Sequence, residues 1–178
     1  MSLLAPGPIP AGMRPFTEEE AGRATYFFGS APWGGPDFRD NIKPEYCDPE
    51  PPINAKGGVD YEGWRCVFSA VINEGMCNPL QNMHGGCSAT IVDIMTSAAI
   101  AVHSTPTFWG IPMLSGVSVT LDMQYFHPGL LGKKIKIVCE IDRISPTLSN
   151  SHADIVEWDT GKRIASGTHV KAWRPAKL

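Results

Sequence analysis

The spacing of apolar and polar residues divides the chain into a proline-rich front and a regular remainder. An apolar stretch at residues 64–72 predicts a buried strand. Residues 87–103 are apolar on almost every side, and because seventeen residues is long for a strand, they predict a buried helix. Alternating apolar and polar side chains predict four further strands, at residues 116–126, 134–144, 148–158 and 163–173.

This order of one strand, one long helix and four strands predicts an α+β fold. Short connections make successive strands antiparallel. A helix that is apolar on most of its surface needs cover on nearly all sides, and an antiparallel sheet curled around it gives that cover. Since one sheet leaves part of the helix uncovered, we expect a homodimer or a homotetramer.

Residues 1–60 are predicted to form a proline-rich extension of a domain at residues 61–178. Ten of the sixteen prolines lie before residue 53, and proline's fixed φ and missing donor exclude a regular sheet or a long helix there. One short helix fits, because Thr17 and Glu20 have the spacing of a capping box. The extension also carries aromatic residues, which predict that it packs on the domain: Tyr26, Phe27, Phe28, Trp33 and Phe38.

Composition excludes several classes of function. The 178 residues, 43% of them hydrophobic, suit one full-sized domain. Fifteen Lys and Arg against eighteen Asp and Glu give a net charge of -3, which argues against a nucleic-acid binder. No apolar run reaches the ~20 residues of a membrane helix, and the amino end lacks a secretory signal pattern. Five cysteines without CxxC spacing argue against disulfides or bound metal, so we expect a protein of the cytoplasm or another reducing compartment.

The loop before the long helix carries the first candidate chemistry, in the run His84, Gly85 and Gly86. The first N–H groups of a helix have no intrahelical partner and lie at the positive end of its dipole. Two glycines there let a ligand approach the backbone, so these amides can bind an anion or stabilise a developing oxyanion. A tight loop alone would also explain the two glycines.

Asp93, two turns into the apolar helix, is the second candidate. An unpaired carboxylate is costly to bury. Either the hydroxyls of Thr90, Thr96 or Ser97 satisfy it, or it faces a cleft as a general base or nucleophile. Cys87 at the helix start is a rival nucleophile, although a small buried cysteine more often belongs to the core.

The run NPLQNMHGGCSATIVDIM closely resembles the signature of hotdog-fold acyl-CoA thioesterases, of the phenylacetate-degradation and mammalian thioesterase-superfamily types. The family pattern is Asn, five residues, His-Gly-Gly, six residues and Asp, which Asn78, the run starting at His84, and Asp93 match. The likeness continues through GVSVTLDMQYFHPG and TGKRIASGTHVKAW, over roughly residues 62–174. It implies a hotdog fold, in which an antiparallel sheet wraps around one long central helix.

The resemblance implies that Asp93 activates water as a general base, or attacks the thioester carbonyl itself. Ser118 matches a strand serine that holds the attacking water. Strict alternation along this strand places Ser118 on the face opposite Leu121. In such enzymes each site is built from two subunits, so Asp93 and Ser118 of one chain would face Asn78 and His84 of another.

The resemblance assigns the carbonyl side of the site to the loop. The Gly85 N–H matches the oxyanion donor, and Gly86 lies next to it. Asn78 matches a side chain that positions water or the thioester. His84 matches a residue that orients the loop or the carbonyl.

The implied reaction is hydrolysis of an acyl-CoA or acyl-carrier thioester, with coenzyme A as part of the substrate and no further cofactor. Lys171, Arg174 and the basic cluster at residues 133–136 are candidates for binding the CoA phosphates. The same scaffold also suits a dehydratase, isomerase or cyclase acting on a β-keto or polyketide-like substrate, in which Asp93 or His84 moves a proton without hydrolysis. A non-catalytic acyl-binding module is a third reading.

Overall fold

A computed structural model describes residues 9–29, 40–55, 57–111 and 113–174. Each helix or strand expected after residue 60 is present there, with ends that differ from the prediction by two residues at most. The elements in chain order are β1 (Arg14–Pro15), α1 (Glu18–Gly29), β2 (Lys43–Cys47), β3 (Trp64–Val71), a 3-10 turn (Glu74–Met76), α2 (Gly85–Val102), β4 (Val117–Tyr125), β5 (Lys134–Ile144), β6 (Leu148–Glu157) and β7 (Arg163–Ala172).

The strands form one antiparallel sheet in the order β1-β2-β3-β5-β6-β7-β4. Helix α2 packs against one face of this sheet and contacts the strands from β3 to β7. This confirms the predicted fold class, an antiparallel sheet with one long central helix. Strand β4, which follows α2 in the chain, lies at an edge and leaves one side of its backbone unpaired.

The core lies between α2 and the inner face of the sheet. On β5 the inward residues follow the predicted alternation, and Ile137 stands opposite Phe68 on β3 and Ile155 on β6, all three fully buried. Met95 on α2 belongs to the same cluster and is also fully buried. Burial of each such side chain contributes about 1.5–3 kcal/mol, so this row holds the helix against the sheet.

Helix α2 also has the length and hydropathy of a membrane-spanning helix. However, 67% of this 18-residue stretch is buried inside the protein. Its position is that of a core helix.

Helix α1 begins with the predicted capping box. The Glu20 N–H donates to Thr17 Oγ1 at 3.2 Å, and the Thr17 N–H donates to Glu20 Oε2 at 2.8 Å. Arg14 donates to both Glu20 oxygens, at 2.7 and 2.8 Å, and this contact lowers the pKa of Glu20 to about 2. Ala24 is fully buried where α1 packs on α2, so this helix belongs to the packed part of the protein. Trp33 and Phe38 lie outside the described residues.

The prediction that the proline-rich front holds no sheet was wrong for two short stretches. Strand β2 pairs with β3, and the two-residue β1 pairs with β2. The ladder slips between Pro44 and Tyr46, which forms a bulge at the proline. Strands this short carry no clear alternation in the sequence.

His103 follows the last turn of α2 and is buried between aromatic rings. Its ring stacks on Tyr61 with centroids 4.0 Å apart and meets Trp64 edge-on at 4.3 Å. Burial, assisted by the positive charge of Arg23, lowers the pKa of His103 to about 3. Within the described residues its Nε2 has no hydrogen-bond partner. The folded protein therefore holds His103 neutral.

We expect His103→Phe to make the free energy of unfolding less sensitive to acid. The unfolded chain takes up a proton near pH 6.5, so this contribution is complete above pH 6.5 and is lost as the pH falls towards 3. For one such group the loss between pH 7 and pH 5 is about 2 kcal/mol. Phenylalanine keeps the ring packing without titrating, so denaturant unfolding should show the variant losing about 2 kcal/mol less than the wild type over this range. Equal losses in both proteins would contradict the assignment.

Candidate active site

His84 organises the start of α2. It is the N-cap residue, and its Nδ1 accepts a hydrogen bond from the Gly86 N–H at 2.9 Å. A neutral imidazole whose Nδ1 accepts carries its proton on Nε2. His84 is exposed, so this Nε2–H can donate to a ligand. The Gly85 N–H, at the first helical position, has no intrahelical partner and is a second donor.

Asn78 lies in the same loop. Its Oδ1 accepts the N–H groups of Leu80 at 2.9 Å and Asn82 at 3.3 Å. The side-chain nitrogen therefore carries the remaining donors. Asn78 and Gly85 line one side of a cavity of about 370 Å³. The remaining lining residues come from the loop, from the start of α2, from the end of β4 and the segment after it, and from β7: Asn82, Met83, Ser88, Tyr125, Phe126, His127, Pro128 and Ile164.

Asp93 belongs to a chain of polar side chains farther along α2. Ser118 Oγ donates to Asp93 Oδ1 at 3.1 Å. His169 Nε2 lies 2.9 Å from Ser118 Oγ and 3.3 Å from Asp93 Oδ1. On its other side, His169 Nδ1 lies 2.7 Å from the buried Thr96 Oγ1. The Asp93 side chain is 44% exposed, so the chain of contacts runs from the core to a carboxylate that solvent can reach.

His169 is fully buried. Burial, followed by the charge of Lys171, lowers its pKa to about 4, while Asp93 acts in the opposite direction. His169 is therefore neutral at neutral pH. Thr96 Oγ1 also donates to the Val92 carbonyl at 2.7 Å, so the direction of its hydrogen bond with His169 Nδ1 depends on the tautomer of the ring. A carboxylate can only accept hydrogen bonds, so the contact with Asp93 favours the tautomer that carries its proton on Nε2. This arrangement directs the Ser118 hydroxyl to Asp93.

A β-bulge turns Ser118 towards α2. The predicted alternation, which placed Ser118 opposite Leu121, was wrong. The ladder between β4 and β7 slips between Ser118 and Thr120, so that Ser118 pairs with Lys171 and Leu121 pairs with His169. Both of these β7 partners are buried on the inner face, so Ser118 and Leu121 share the helix side of the sheet. Re-aiming of a side chain is a known effect of bulges.

The hydroxyls near Asp93 on its own helix donate to backbone carbonyls. Thr90 Oγ1 donates to the Gly86 carbonyl at 2.9 Å, and Ser97 Oγ donates to the backbone carbonyl of Asp93. Thr96 faces His169. The carboxylate is therefore oriented from β4 and β7, across the sheet edge, and remains open to solvent.

The two halves of the site lie apart on one helix. Asp93 lies eight positions after Gly85, which corresponds to about 12 Å along the helix axis. Reacting groups must come within about 3–3.5 Å of each other. Within one chain, the backbone positions of the loop donors and of the carboxylate are therefore far apart.

Comparison with known proteins identifies the family. A family model described as Thioesterase superfamily matches residues 80–162. Acyl-coenzyme A thioesterase 13 of Mus musculus is 35% identical over 107 residues, which cover 60% of this chain and 71% of the mouse protein. The chain belongs to the thioesterase superfamily.

Solved structures share the fold of this thioesterase-superfamily chain. Zebrafish thioesterase superfamily member 2 matches with a TM-score of 0.64 at 23% identity, covering 84% of this chain and 93% of the fish protein. Thioesterase superfamily member 2 from Mus musculus matches with a TM-score of 0.65 at 24% identity, covering 88% and 96%. The hotdog architecture expected from the resemblance is thus confirmed.

Two residues of this thioesterase-superfamily chain that were expected to bind substrate, Gly86 and Lys171, have their polar groups engaged or buried. The Gly86 N–H is bound to His84 Nδ1, which leaves the Gly85 N–H as the backbone donor. Lys171 is only 4% exposed and lies opposite Ser118 in the sheet, so its ammonium is not at the surface where a phosphate could reach it. Arg174, just after β7, is exposed and stays a predicted phosphate ligand.

Sequence reasoning did not single out His169. The signal that could have identified it is its position in β7, where His169 lies on the same inward face as Gly167 and Lys171. A histidine at an inward position needs polar partners. The rival nucleophile Cys87 is disfavoured, because burial raises its pKa to about 11 and keeps the thiol protonated at neutral pH. In the part of the chain described, no group of three or more His, Cys, Asp or Glu could hold a metal ion.

Proposed function

We propose that this protein hydrolyses acyl-CoA thioesters, with Asp93 as the general base that activates water. The observation that carries the proposal is the half-exposed carboxylate whose Oδ1 is oriented by Ser118 and by neutral His169. We propose that its Oδ2 takes the proton from water. The acyl-CoA substrate is supported by the 35% identity to mouse acyl-coenzyme A thioesterase 13.

The loop at the start of α2 supplies the donors for the carbonyl oxygen. When hydroxide from the activated water adds to the carbonyl carbon, negative charge develops on that oxygen. We propose that the Gly85 N–H, the Asn78 amide and the His84 Nε2–H stabilise this charge, and one such donor is worth about 10²–10³-fold in rate. Collapse of the intermediate breaks the C–S bond, and the proton held by Asp93 passes to the leaving thiolate, giving a carboxylic acid and free coenzyme A.

A second copy of the chain is proposed to complete each site. The edge strand β4 exposes an unpaired backbone together with apolar side chains that are 37–56% exposed, namely Val117, Val119, Leu121, Tyr125 and the adjacent Phe126. An edge of this kind favours pairing with another chain. Pairing of β4 with β4 of a second copy would cover these side chains and bring Asp93 of one subunit towards Asn78 of the other. We propose a homodimer, or a homotetramer built from two such dimers.

The basic residues leave Arg174 as the main proposed ligand of the CoA phosphates. Lys133 forms an ion pair with Glu157, and Lys134 lies 3.6 Å from the centroid of the Trp158 ring. These lysines are therefore engaged with their own sheet. The proposed reaction needs only water and the thioester, without a further cofactor, and we propose that it takes place in the cytoplasm.

Turnover of a panel of acyl-CoA esters by the purified protein tests the function. We expect release of a free thiol, together with a carboxylic acid identified by mass spectrometry. Light scattering on the same sample reports whether the chain is dimeric or tetrameric. An acyl group altered with its thioester intact would instead show a dehydratase, isomerase or cyclase, and binding without turnover would show a non-catalytic acyl-binding module.

A further inference from the structure

The hydroxyl of Tyr125, the last residue of β4, contacts the start of α2. It donates a hydrogen bond to the carbonyl oxygen of Gly85 at 3.0 Å, forty residues earlier in the chain. The Tyr125 ring also lies over Gly85, since a Cβ added to that glycine would sit 3.4 Å from the ring.

The Gly85 carbonyl belongs to the same peptide group as the Gly86 N–H. That N–H donates to His84 Nδ1 at 2.9 Å. The contacts therefore form one directed chain, from the Tyr125 hydroxyl through the Gly85–Gly86 peptide to the His84 ring, which ends at the outward Nε2–H. Each donor in such a chain polarises the next, so hydrogen bonds in series strengthen one another.

We propose that Tyr125 is a positioning residue for His84, which holds the Gly85–Gly86 peptide in place and strengthens the His84 Nε2–H as a donor to the thioester carbonyl. The proposal rests on the proposed hydrolysis and goes beyond it, because it gives the last residue of the edge strand a role in the chemistry. Tyr125 acts here through the peptide and does not need to touch the reacting atoms.

The packing around the peptide explains why its orientation is well defined. A Cβ on Gly86 would lie 3.1 Å from His84 Nδ1, so the imidazole sits directly against the backbone. The Tyr125 ring packs against the neighbouring Gly85. Loss of the hydroxyl therefore removes one hydrogen bond while leaving both rings against the backbone.

Tyr125→Phe removes only the hydroxyl and is the direct test. We expect kcat for acyl-CoA hydrolysis to fall about three- to ten-fold, the range for loss of one neutral hydrogen bond, with KM changed less than about two-fold. Tyr26→Phe is the matched control, because Tyr26 is exposed on α1, and its kcat should equal that of the wild type. An unchanged kcat in Tyr125→Phe would overturn the proposal.

A double-mutant cycle distinguishes positioning from a separate structural or substrate contact. In a His84→Ala background, the further substitution Tyr125→Phe should lower kcat by less than about two-fold, because the group through which Tyr125 acts is gone. Losses that multiply independently would overturn the proposal.

A measurement without turnover separates this proposal from the proposed function. In ¹⁵N NMR of the imidazole rings, we expect the His84 Nδ1 resonance to move in Tyr125→Phe and to stay in place in Tyr26→Phe. If the wild type hydrolyses no thioester but the resonance moves, only the proposed function fails. If hydrolysis is found and the resonance does not move, only the role of Tyr125 fails.

Discussion

Replacing Asp93 by asparagine is expected to lower kcat for acyl-CoA hydrolysis by about 10²- to 10⁴-fold, the usual contribution of a positioned general base. Asparagine has nearly the size of aspartate, and its side-chain oxygen can still accept the hydrogen bond from Ser118. The amide cannot take a proton from water at neutral pH. The fold should therefore persist while the chemical step fails.

Steady-state thiol release measures this effect, with Asp159→Asn as the matched control. Asp159 is exposed in the turn between β6 and β7 and does not belong to the polar chain around Asp93, so the same change there should leave kcat at the wild-type value. Unfolding curves of both variants report whether the fold is kept. Near wild-type turnover in a folded Asp93→Asn protein would remove Asp93 from the mechanism.

Periodicity predicted the helices and strands of the domain because burial on one side of an element repeats apolar residues at regular positions in the sequence. The inward residues of β5, such as Ile135 and Ile141, alternate without interruption, and the structure buries both completely. The small and apolar residues of α2 likewise show that most of its surface is covered. Such patterns give elements and faces wherever a strand pairs regularly.

Periodicity failed where the backbone departs from regular pairing. The bulge after Ser118 reverses the face on which that residue lies, and the slip at Pro44 hides a short strand. Neither irregularity can be recognised from the residue types of the strand in which it occurs. The side chain most affected, Ser118, is a site residue, so an irregularity of the backbone supplies part of the geometry of the site.

Roles were harder to predict than positions because they depend on partners distant in sequence. Lys171 was a candidate for binding the CoA phosphates, yet it lies buried next to Ser118 because inward positions of β7 face α2. His169 joins Asp93 across 76 positions of sequence, a contact that no local pattern indicates. The motif assigned Asn78, His84 and Asp93 to one active site. Their roles stay predictions, and they depend on the proposed site being built from two subunits.

Mixing two inactive variants provides a strong test of that two-subunit site. Asp93→Asn and Asn78→Ala should each be nearly inactive alone. After unfolding together and refolding at equal amounts, random pairing makes half of the dimers mixed. Each mixed dimer then has one site with both defects and one site with neither, so activity should recover to about a quarter of the wild-type level.

A second mixture provides the matched control. Asp93 and Ser118 of one chain are in direct contact, with Oγ and Oδ1 3.1 Å apart, so both belong to the same half of a site. Mixed dimers of Asp93→Asn and Ser118→Ala therefore have one defect in every site, and refolding them together should restore nothing beyond the activity of Ser118→Ala itself. If activity recovers in the first mixture and not in the second, Asp93 and Asn78 of one site must come from different chains. Light scattering shows whether the refolded material is dimeric. If dimeric material of the first mixture shows no recovery, each chain holds a whole site. That result would contradict the proposal, which rests on the roughly 12 Å along α2 between Gly85 and Asp93.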